Sequence, residues 1–349
     1  MKLSKKNIVS FPLEIRCSLN KQEYRILNQK IDTFLYEDYP VFEDDFLFEE
    51  RLCNIIIENL YPINQGHDIL FKPQKKLGHN KMIEYGIEIL KTIDLEYVLS
   101  FNEILKEGRM KFDCQHGEDE KSYFDSQKNL FHIQIINNLS DVFTIIHEFI
   151  HFTNTKEELL NSTTSYYTEC FSIFSELLVK DYFDKKYPQY RNDIQKIQRN
   201  NFINLYQDNL CFKVILEILK KKINGIEISE YQIFDIMNIL YQYQPDLNLI
   251  KIVLDEIISE ILEVDNKYSF EDTYTIHARN TVGLILACYM NELKDKNIWD
   301  LNDHLYQLEV ADVISYLNLE FNSERDFDLT EDSYKKLEKS YKNNLKRLW

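Results

Sequence analysis

Glycine and proline are scarce in this chain of 349 residues, with only 7 and 6 copies. Folds made of strands and tight turns need many residues at positive φ or with a fixed turn geometry, and these two residue types supply most of them. The shortage therefore excludes a fold built mainly of short strands. Because 44% of the residues are hydrophobic, the chain can bury a large core, and we predict a mainly α-helical fold.

The charge of the chain restricts its partners. It contains 41 basic and 58 acidic residues, which gives a formal net charge of -17. Phosphate backbones and anionic membranes repel such an acidic protein, so neither nucleic acid nor a membrane is expected as a partner. No stretch is long and apolar enough for a signal peptide or a membrane span. The six cysteines form no C-x-x-C pair, which favours buried free thiols and a cytoplasmic protein.

The amino-terminal part of the chain has helical spacing of its apolar residues. This spacing predicts helices from about residue 20 to residue 59, with a break near Pro40, and one long helix over about 80–106. The segment 62–78 contains glycine and proline and is predicted to be a loop. The predicted division is a short helical lobe over residues 1–78 and a larger domain over residues 79–349, which contains the motif described below.

A short strand is predicted where the helical pattern stops. Phe131, Ile133 and Ile135 alternate with His132 and Gln134, and this period of two is typical of a half-buried strand. An edge strand can pair with an extended peptide through main-chain hydrogen bonds. His132 and Gln134 are therefore candidate substrate-binding residues, with a plain solvent-facing pair as the alternative. Two further helices, split near residues 161–164, are predicted over about 141–187.

The motif at residues 147–151 is His-Glu-Phe-Ile-His, which matches H-E-x-x-H. Residues four apart lie about 40° apart around a helix, so both imidazoles point the same way. A catalytic zinc ion needs a third protein ligand and a position for water beside two such histidines. Glu148 lies roughly 100° around the helix from His147 and can reach that water as a general base without binding the metal. Two structural histidines on an amphipathic helix are the alternative.

The third metal ligand must come from elsewhere in the chain. A metzincin would need glycine and histidine where Asn154 and Glu157 stand, so that class is excluded. Glu169, Ser172 and Glu176 share one face of the next predicted helix, which can be a metal-binding face or an ordinary solvent-facing stripe. Glu169 is the predicted ligand, and Glu176, two turns later, is predicted to orient a ligand from behind.

Two runs of sequence resemble a known family. The run Asp141–His151 is similar to the active-site helix of the oligoendopeptidase F and thimet oligopeptidase family. The run Glu169–Leu178, with serine at the third following position and glutamate at the seventh, resembles the second zinc helix of that family. The segment Asp326–Tyr334 is similar to its closing segment. The resemblance implies a helical fold with a small sheet near the active site, one zinc ion per chain, and cleavage of short peptides in a channel.

The chain also departs from the family pattern. The family usually has glycine where Ile150 stands, and its members have a longer amino-terminal lobe. It places histidine and several tyrosines before a glycine in a late helix, where they bind the oxyanion and the substrate. Tyr274 and His277 precede Gly283, and the resemblance makes them candidates for this role although their spacing does not match.

The sequence therefore predicts a zinc-dependent endopeptidase that acts on short unstructured peptides. Zinc would be bound by His147, His151 and Glu169, and Glu148 would be the general base. Two alternatives stay open at this point. One is a peptidase dedicated to a single peptide or protein substrate, and the other is a binding protein without catalytic activity that keeps the peptidase fold.

Overall fold

The computed structural model describes residues 19–37, 39–64, 76–114, 122–125, 128, 130–154, 162–262, 270–293, 298–299, 310–322 and 328–349. Most of these residues are helical, so the predicted mainly α-helical fold is confirmed. None of the helices in these ranges combines the length and the apolar character that crossing a bilayer requires.

Four helices lie ahead of the only described sheet. They are α1 (Lys21–Glu37), α2 (Tyr39–Asn64), α3 (His79–Ile93) and α4 (Leu95–Lys106). The prediction of one continuous helix over 80–106 is wrong, because Asp94 interrupts it with an extended backbone at φ -155°. The Asp94 side chain accepts a hydrogen bond of 2.8 Å from the backbone N–H of Glu96. Aspartate is a preferred N-cap residue, and this cap starts α4 as a separate helix.

The sheet has three short strands. They are β1 (Met110–Cys114), β2 (Tyr123–Asp125) and β3 (Leu130–Ile135), in the order β1-β3-β2. β1 pairs with β3 in parallel and β2 pairs with β3 antiparallel. Phe131, Ile133 and Ile135 are buried, which confirms the strand predicted from their alternation. The expectation of an edge strand here is wrong, since β3 lies between two neighbours.

Eight helices follow the sheet among the described residues. They are α5 (Ser140–Asn154), α6 (Ser162–Lys186), α7 (Arg191–Ile223), α8 (Glu230–Tyr241), α9 (Leu247–Leu262), α10 (Phe270–Leu293), α11 (Val310–Tyr316) and α12 (Glu331–Leu348). Pro188 and Gly225 mark two of the breaks between these helices. Pro188 begins a 3₁₀ turn, and Gly225 follows α7 with φ +72°, a conformation that glycine adopts without strain.

The chain divides into two compact units. One consists of Met1–Phe42 with Leu210–Tyr274, and the other of Glu43–Asn209 with Thr275–Trp349. These boundaries do not coincide with the division predicted at residue 78. Cys53, Cys170, Cys211 and Cys288 are buried free thiols, as expected, whereas Cys17 and the Cys114 side chain lie outside the described part of the chain.

In the first unit, hydrogen bonds fix α1 to the segment that follows α7. The Asn28 amide donates to the Ile228 carbonyl and accepts from the Ile228 N–H, both at 2.8 Å. The ammonium of Lys222 lies 2.7 Å from the Asp32 carboxylate and 3.0 Å from that of Glu227. These polar contacts border a core of aliphatic and aromatic side chains from α1 and α9.

In the second unit, aromatic packing anchors α5. The Phe149 ring lies edge-on to Phe101, with 5.1 Å between the ring centroids, and 6.3 Å from Tyr97. Phe149 and Ile150 are completely buried, and replacing such a phenylalanine with alanine typically costs about 3–5 kcal/mol of stability. This packing turns the opposite face of α5, with the H-E-x-x-H side chains, away from the core.

Candidate metal centre

Polar side chains fix the start of α5 directly after the sheet. The Asp141 carboxylate accepts hydrogen bonds from the backbone N–H groups of Ile136 at 3.1 Å and Asn138 at 3.0 Å. The Asn138 side chain in turn accepts from the Ser140 N–H at 2.7 Å. Asparagine and serine are preferred residues at the start of a helix. The chain therefore turns from β3 into α5 with defined geometry, which sets the position of His147 two turns later.

Packing of α6 brings a second set of polar side chains beside α5. Phe174 stacks on Trp299, with 5.3 Å between the ring centroids, and Phe171 lies 5.7 Å from the same ring. The polar face of α6, with Glu169, points away from these aromatic rings. Glu169 is only 7% exposed, although burying a carboxylate without a partner is costly.

Three side chains converge between α5 and α6. The Nε2 atoms of His147 and His151 are 3.0 Å apart. Oε1 of Glu169 lies 3.6 Å from Nε2 of His147, and Oε2 lies 3.3 Å from Nε2 of His151. Among the described residues, this is the one group of histidine, cysteine and acidic side chains with atoms close enough to hold a metal ion.

The spacing of these atoms fits a tetrahedral zinc ion. Zinc binds imidazole nitrogen and carboxylate oxygen at roughly 2.0–2.2 Å, so two ligand atoms of a tetrahedron stand about 3.3–3.5 Å apart. The distances of 3.0, 3.3 and 3.6 Å between the three side chains bracket that value. Two histidines and one glutamate are also a known catalytic zinc donor set. His147, His151 and Glu169 can therefore hold a metal ion.

The electrostatic surroundings favour a positive charge at this point. Burial alone would lower the pKa of His147, yet the carboxylates of Glu169 and Glu176 raise it to about 10. Burial alone would raise the pKa of Glu169, yet the neighbouring His147 and His151 hold it well below its usual range. Glu169 is therefore ionised at neutral pH, and the same negative surroundings favour a bound cation.

A hydrogen-bond chain supports His147 from behind. Nδ1 of His147 lies 2.8 Å from Oε1 of Glu176. The other carboxylate oxygen of Glu176 accepts a 2.8 Å hydrogen bond from the Asn201 side chain on α7. Nδ1 donates its proton to the Glu176 oxygen, so Nε2 is the ring nitrogen that would bind a metal ion, after giving up its own proton. Glu176 thus contacts the imidazole that it was predicted to orient, and its orienting role stays a prediction.

Glu148 adjoins the three converging side chains without joining them. It is half-buried, and its negative charge contributes to the raised pKa of His147. Within the described ranges, its carboxylate forms no hydrogen bond or ion pair with another side chain. A carboxylate in this state can accept a proton from water, which is the property required of a general base.

Tyr274 and His277 lie in different surroundings from those expected of oxyanion-binding residues. Tyr274 is completely buried, and its ring lies 5.6 Å from the rings of both Phe34 and Phe212. His277 is 6% exposed, and its backbone carbonyl accepts a hydrogen bond from the Thr281 hydroxyl at 2.9 Å. Neither belongs to the converging group. Their catalytic role stays a prediction drawn from the resemblance alone.

The substrate-binding role of His132 and Gln134 also stays a prediction. Phe131 and His132 on β3 are paired on both sides, so a peptide cannot add to the strand there. Nδ1 of His132 lies 3.4 Å from the Asp113 carboxylate on β1. The backbone N–H of Gln134 donates a 2.9 Å hydrogen bond to the Ser122 hydroxyl. The alternation of residues predicted the strand but gave no information about its neighbours.

The sequence analysis assigned no role in the site to three residues that lie near it. Asn201 contacts Glu176, as described, and Arg279 on α10 lowers the pKa of Glu169 through its positive charge. A Cβ atom at Gly283 would lie 3.1 Å from Cβ and Cγ of Glu169. Of the three, only Gly283 has a sequence feature that draws attention to it. Glycine inside a helix makes the helix about 1 kcal/mol less stable than alanine does, so its presence often means that another element packs closely there.

Comparisons with known proteins add no family to these observations. The chain matches no protein-family model, no curated protein and no solved structure.

Proposed function

We propose that this chain is a zinc-dependent metallopeptidase that hydrolyses peptide bonds in short unstructured peptides. The observation that supports the proposal most is the convergence of His147, His151 and Glu169 on one point. Glu148 beside them and Glu176 behind His147 complete the set of groups that such an enzyme needs. The resemblance of the two helices to the oligoendopeptidase F and thimet oligopeptidase family points to the same activity.

In the proposed reaction, His147, His151 and Glu169 hold the zinc ion. When bound, zinc acts as a Lewis acid toward a carbonyl oxygen and makes water a stronger acid. Glu148 accepts a proton from the attacking water while a bond forms between the water oxygen and the carbonyl carbon. Glu148 then transfers that proton to the nitrogen of the leaving amine as the C–N bond breaks. Glu176 holds the Nδ1 proton of His147 throughout.

The proposal is tested by metal analysis together with peptide hydrolysis. Protein purified without added metal should contain one zinc ion per chain, and His147→Ala and Glu169→Ala should lose it. Glu148→Gln should keep the fold and the zinc but lose about 10²–10⁴-fold in turnover, because the amide has no basicity. Glu103→Gln, an exposed glutamate on α4, is the matched control and should behave as the parent protein.

Digestion of a mixed peptide library, read by mass spectrometry, separates the alternatives. Cleavage of many short peptides supports the proposed activity. Cleavage of one peptide only would favour a dedicated peptidase. Zinc binding with no cleavage at all would favour a binding protein, and full zinc occupancy in both ligand variants would remove the metal assignment.

A further inference from the structure

Arg279 is a charged residue beside the proposed metal centre that the reaction described above does not use. It lies on α10 one turn before Gly283, so the two residues share a face of the helix. The backbone of Gly283 touches Glu169, since an added Cβ would lie 3.1 Å from Cβ and Cγ of that residue. The face of α10 that includes Arg279 is therefore the one that approaches the metal ligands.

The guanidinium of Arg279 has unused hydrogen-bonding capacity. Its Nε atom is shielded from solvent and has no hydrogen-bond partner, while the residue as a whole is half-buried. Its face of α10 contacts Glu169 at Gly283, yet within the described ranges no carboxylate forms an ion pair with Arg279. Its positive charge is therefore not neutralised by a neighbouring carboxylate.

A partly desolvated guanidinium is stabilised when an anion approaches it. Its planar set of N–H donors matches the two oxygens of a carboxylate, and such pairs form two parallel hydrogen bonds. A peptide can supply a carboxylate either at its C-terminus or in an acidic side chain. A carboxylate held beside the metal would also fix which peptide bond lies over Glu148.

We propose that Arg279 binds a carboxylate of the peptide substrate and thereby selects the bond that is cleaved. This inference rests on the proposed peptidase function. A C-terminal carboxylate at Arg279 would make the chain remove residues from the C-terminal end of peptides. An acidic side chain at Arg279 would instead give cleavage next to aspartate or glutamate inside a peptide.

The first test measures binding by zinc-loaded Glu148→Gln protein, in which hydrolysis is suppressed. Three fluorescent peptides share one sequence and differ only at the end. The first has a free C-terminal carboxylate, the second a C-terminal amide, and the third an amide with glutamate as its last residue.

Fluorescence anisotropy should show that a peptide with a carboxylate binds at least about tenfold more tightly than the plain amide. The preferred peptide identifies the source of the carboxylate, and equal affinity for all three would overturn the inference.

The second test adds substitutions to the same protein. Arg279→Gln should remove the difference in affinity between the carboxylate peptides and the plain amide. Arg279→Lys should keep part of that difference, because lysine retains the charge without the planar donors. Arg191→Gln is the matched control, since Arg191 pairs with Asp184 at the start of α7 and 59% of its side chain is exposed. Zinc content and circular dichroism check the fold of each variant. An unchanged preference in well-folded Arg279→Gln would overturn the inference, and the comparison of the three peptides tests it even if that variant does not fold.

Hydrolysis by the parent protein distinguishes this inference from the proposed function. A preference for the carboxylate without any hydrolysis would refute the peptidase function and support the role of Arg279 in binding. Hydrolysis of all three peptides without any preference would support the peptidase function and refute the role of Arg279.

Discussion

Gly283 and Glu169 lie in direct contact across the interface between α10 and α6. A Cβ atom at position 283 would stand 3.1 Å from Cβ and Cγ of Glu169 and 3.1 Å from the backbone nitrogen of Cys170. Such distances are tighter than most contacts of a Cβ atom, so Glu169 or its helix would have to shift by a few tenths of an ångström. The backbone nitrogen of Cys170 cannot move independently of α6. The lack of a side chain at position 283 therefore permits the observed position of the Glu169 carboxylate.

Replacing Gly283 with alanine should displace Glu169 and weaken metal binding. We expect an affinity for zinc at least about tenfold lower, comparable to the loss of a supporting contact at a metal site. Overpacking of this kind also lowers the free energy of unfolding by about 1–3 kcal/mol. Zinc titration and thermal unfolding measure the two effects.

Gly78→Ala is the matched control for that substitution. Gly78 precedes α3 with φ -71°, and an added Cβ would meet nothing within 4 Å. It should bind zinc as the parent protein does. If Gly283→Ala binds zinc equally well, the contact with Glu169 does not determine the position of that ligand.

Loss of the Glu176 carboxylate should weaken zinc binding while leaving all three ligands in place. Glu176→Ala removes the acceptor of the His147 Nδ1 proton, and such changes typically reduce metal affinity about 10–100-fold. Asn201→Ala removes only the next contact in the chain, so a smaller loss is expected. Competition with a chelator of known affinity gives both values. An equal or larger loss in Asn201→Ala would contradict this order.

Removal of the metal should lower the thermal stability of the protein. The ion would join α5 to α6 through ligands that do not stay together in the unfolded chain, so binding energy adds to folding stability. At free zinc about 100 times the dissociation constant, the gain is about 2.7 kcal/mol. Calorimetry with and without a chelator should show a lower Tm after zinc removal. His147→Ala should melt at the same temperature under both conditions, and a persistent difference would indicate another metal site.

The ionised Glu88 carboxylate should make the free energy of unfolding depend on pH in the acid range. Burial would raise its pKa, but hydrogen bonds from Lys186, Tyr182 and Tyr187 lower it to about 2, from an ordinary 4.5. The Tyr187 hydroxyl donates at 3.0 Å, and the Lys186 ammonium lies 2.8 Å away. A lowered pKa stabilises the folded state above the unfolded pKa, and this contribution disappears as the pH falls from about 4.5 to about 2.

Glu88→Gln should lack this part of the pH dependence. We expect it to be about 1–2 kcal/mol less stable than the parent protein at pH 7, after allowance for solvent screening. The difference should shrink as the pH approaches 2, as measured by urea unfolding at a series of pH values. The exposed Glu103→Gln variant should follow the parent protein throughout. A constant difference between Glu88→Gln and the parent would disprove the assigned role of the ionised carboxylate.

The sequence predicted the parts of the site that depend on local geometry. The spacing of His147 and His151 places their rings on one side of a helix in any fold. The positions of Glu169 and Glu176 on one face of α6 follow from the same periodicity. That this face meets α5 was suggested by the resemblance to a family and not by the periodicity, because helix packing depends on residues distant in sequence.

The parts of the structure that depend on long-range contacts could not be predicted in this way. The alternation at Phe131–Ile135 predicted a strand, but no local pattern shows that two other strands flank it. Asn201 and Arg279 lie in ordinary helical sequence and reach the site only through packing of α7 and α10. The break at Asp94 was missed because apolar spacing continues across it, although aspartate is a preferred cap.

The origin of the three metal ligands also has a consequence for the order of folding. His147 and Glu169 are separated by 22 positions in the chain, and both lie on consecutive helices. Closing a short stretch of chain costs less entropy than closing a long one, and contacts between near neighbours generally form faster. The pair α5 and α6 can therefore assemble the ligands before Asn201 and Arg279 arrive with α7 and α10. A metal ion captured at that stage would act as a template onto which the later helices pack.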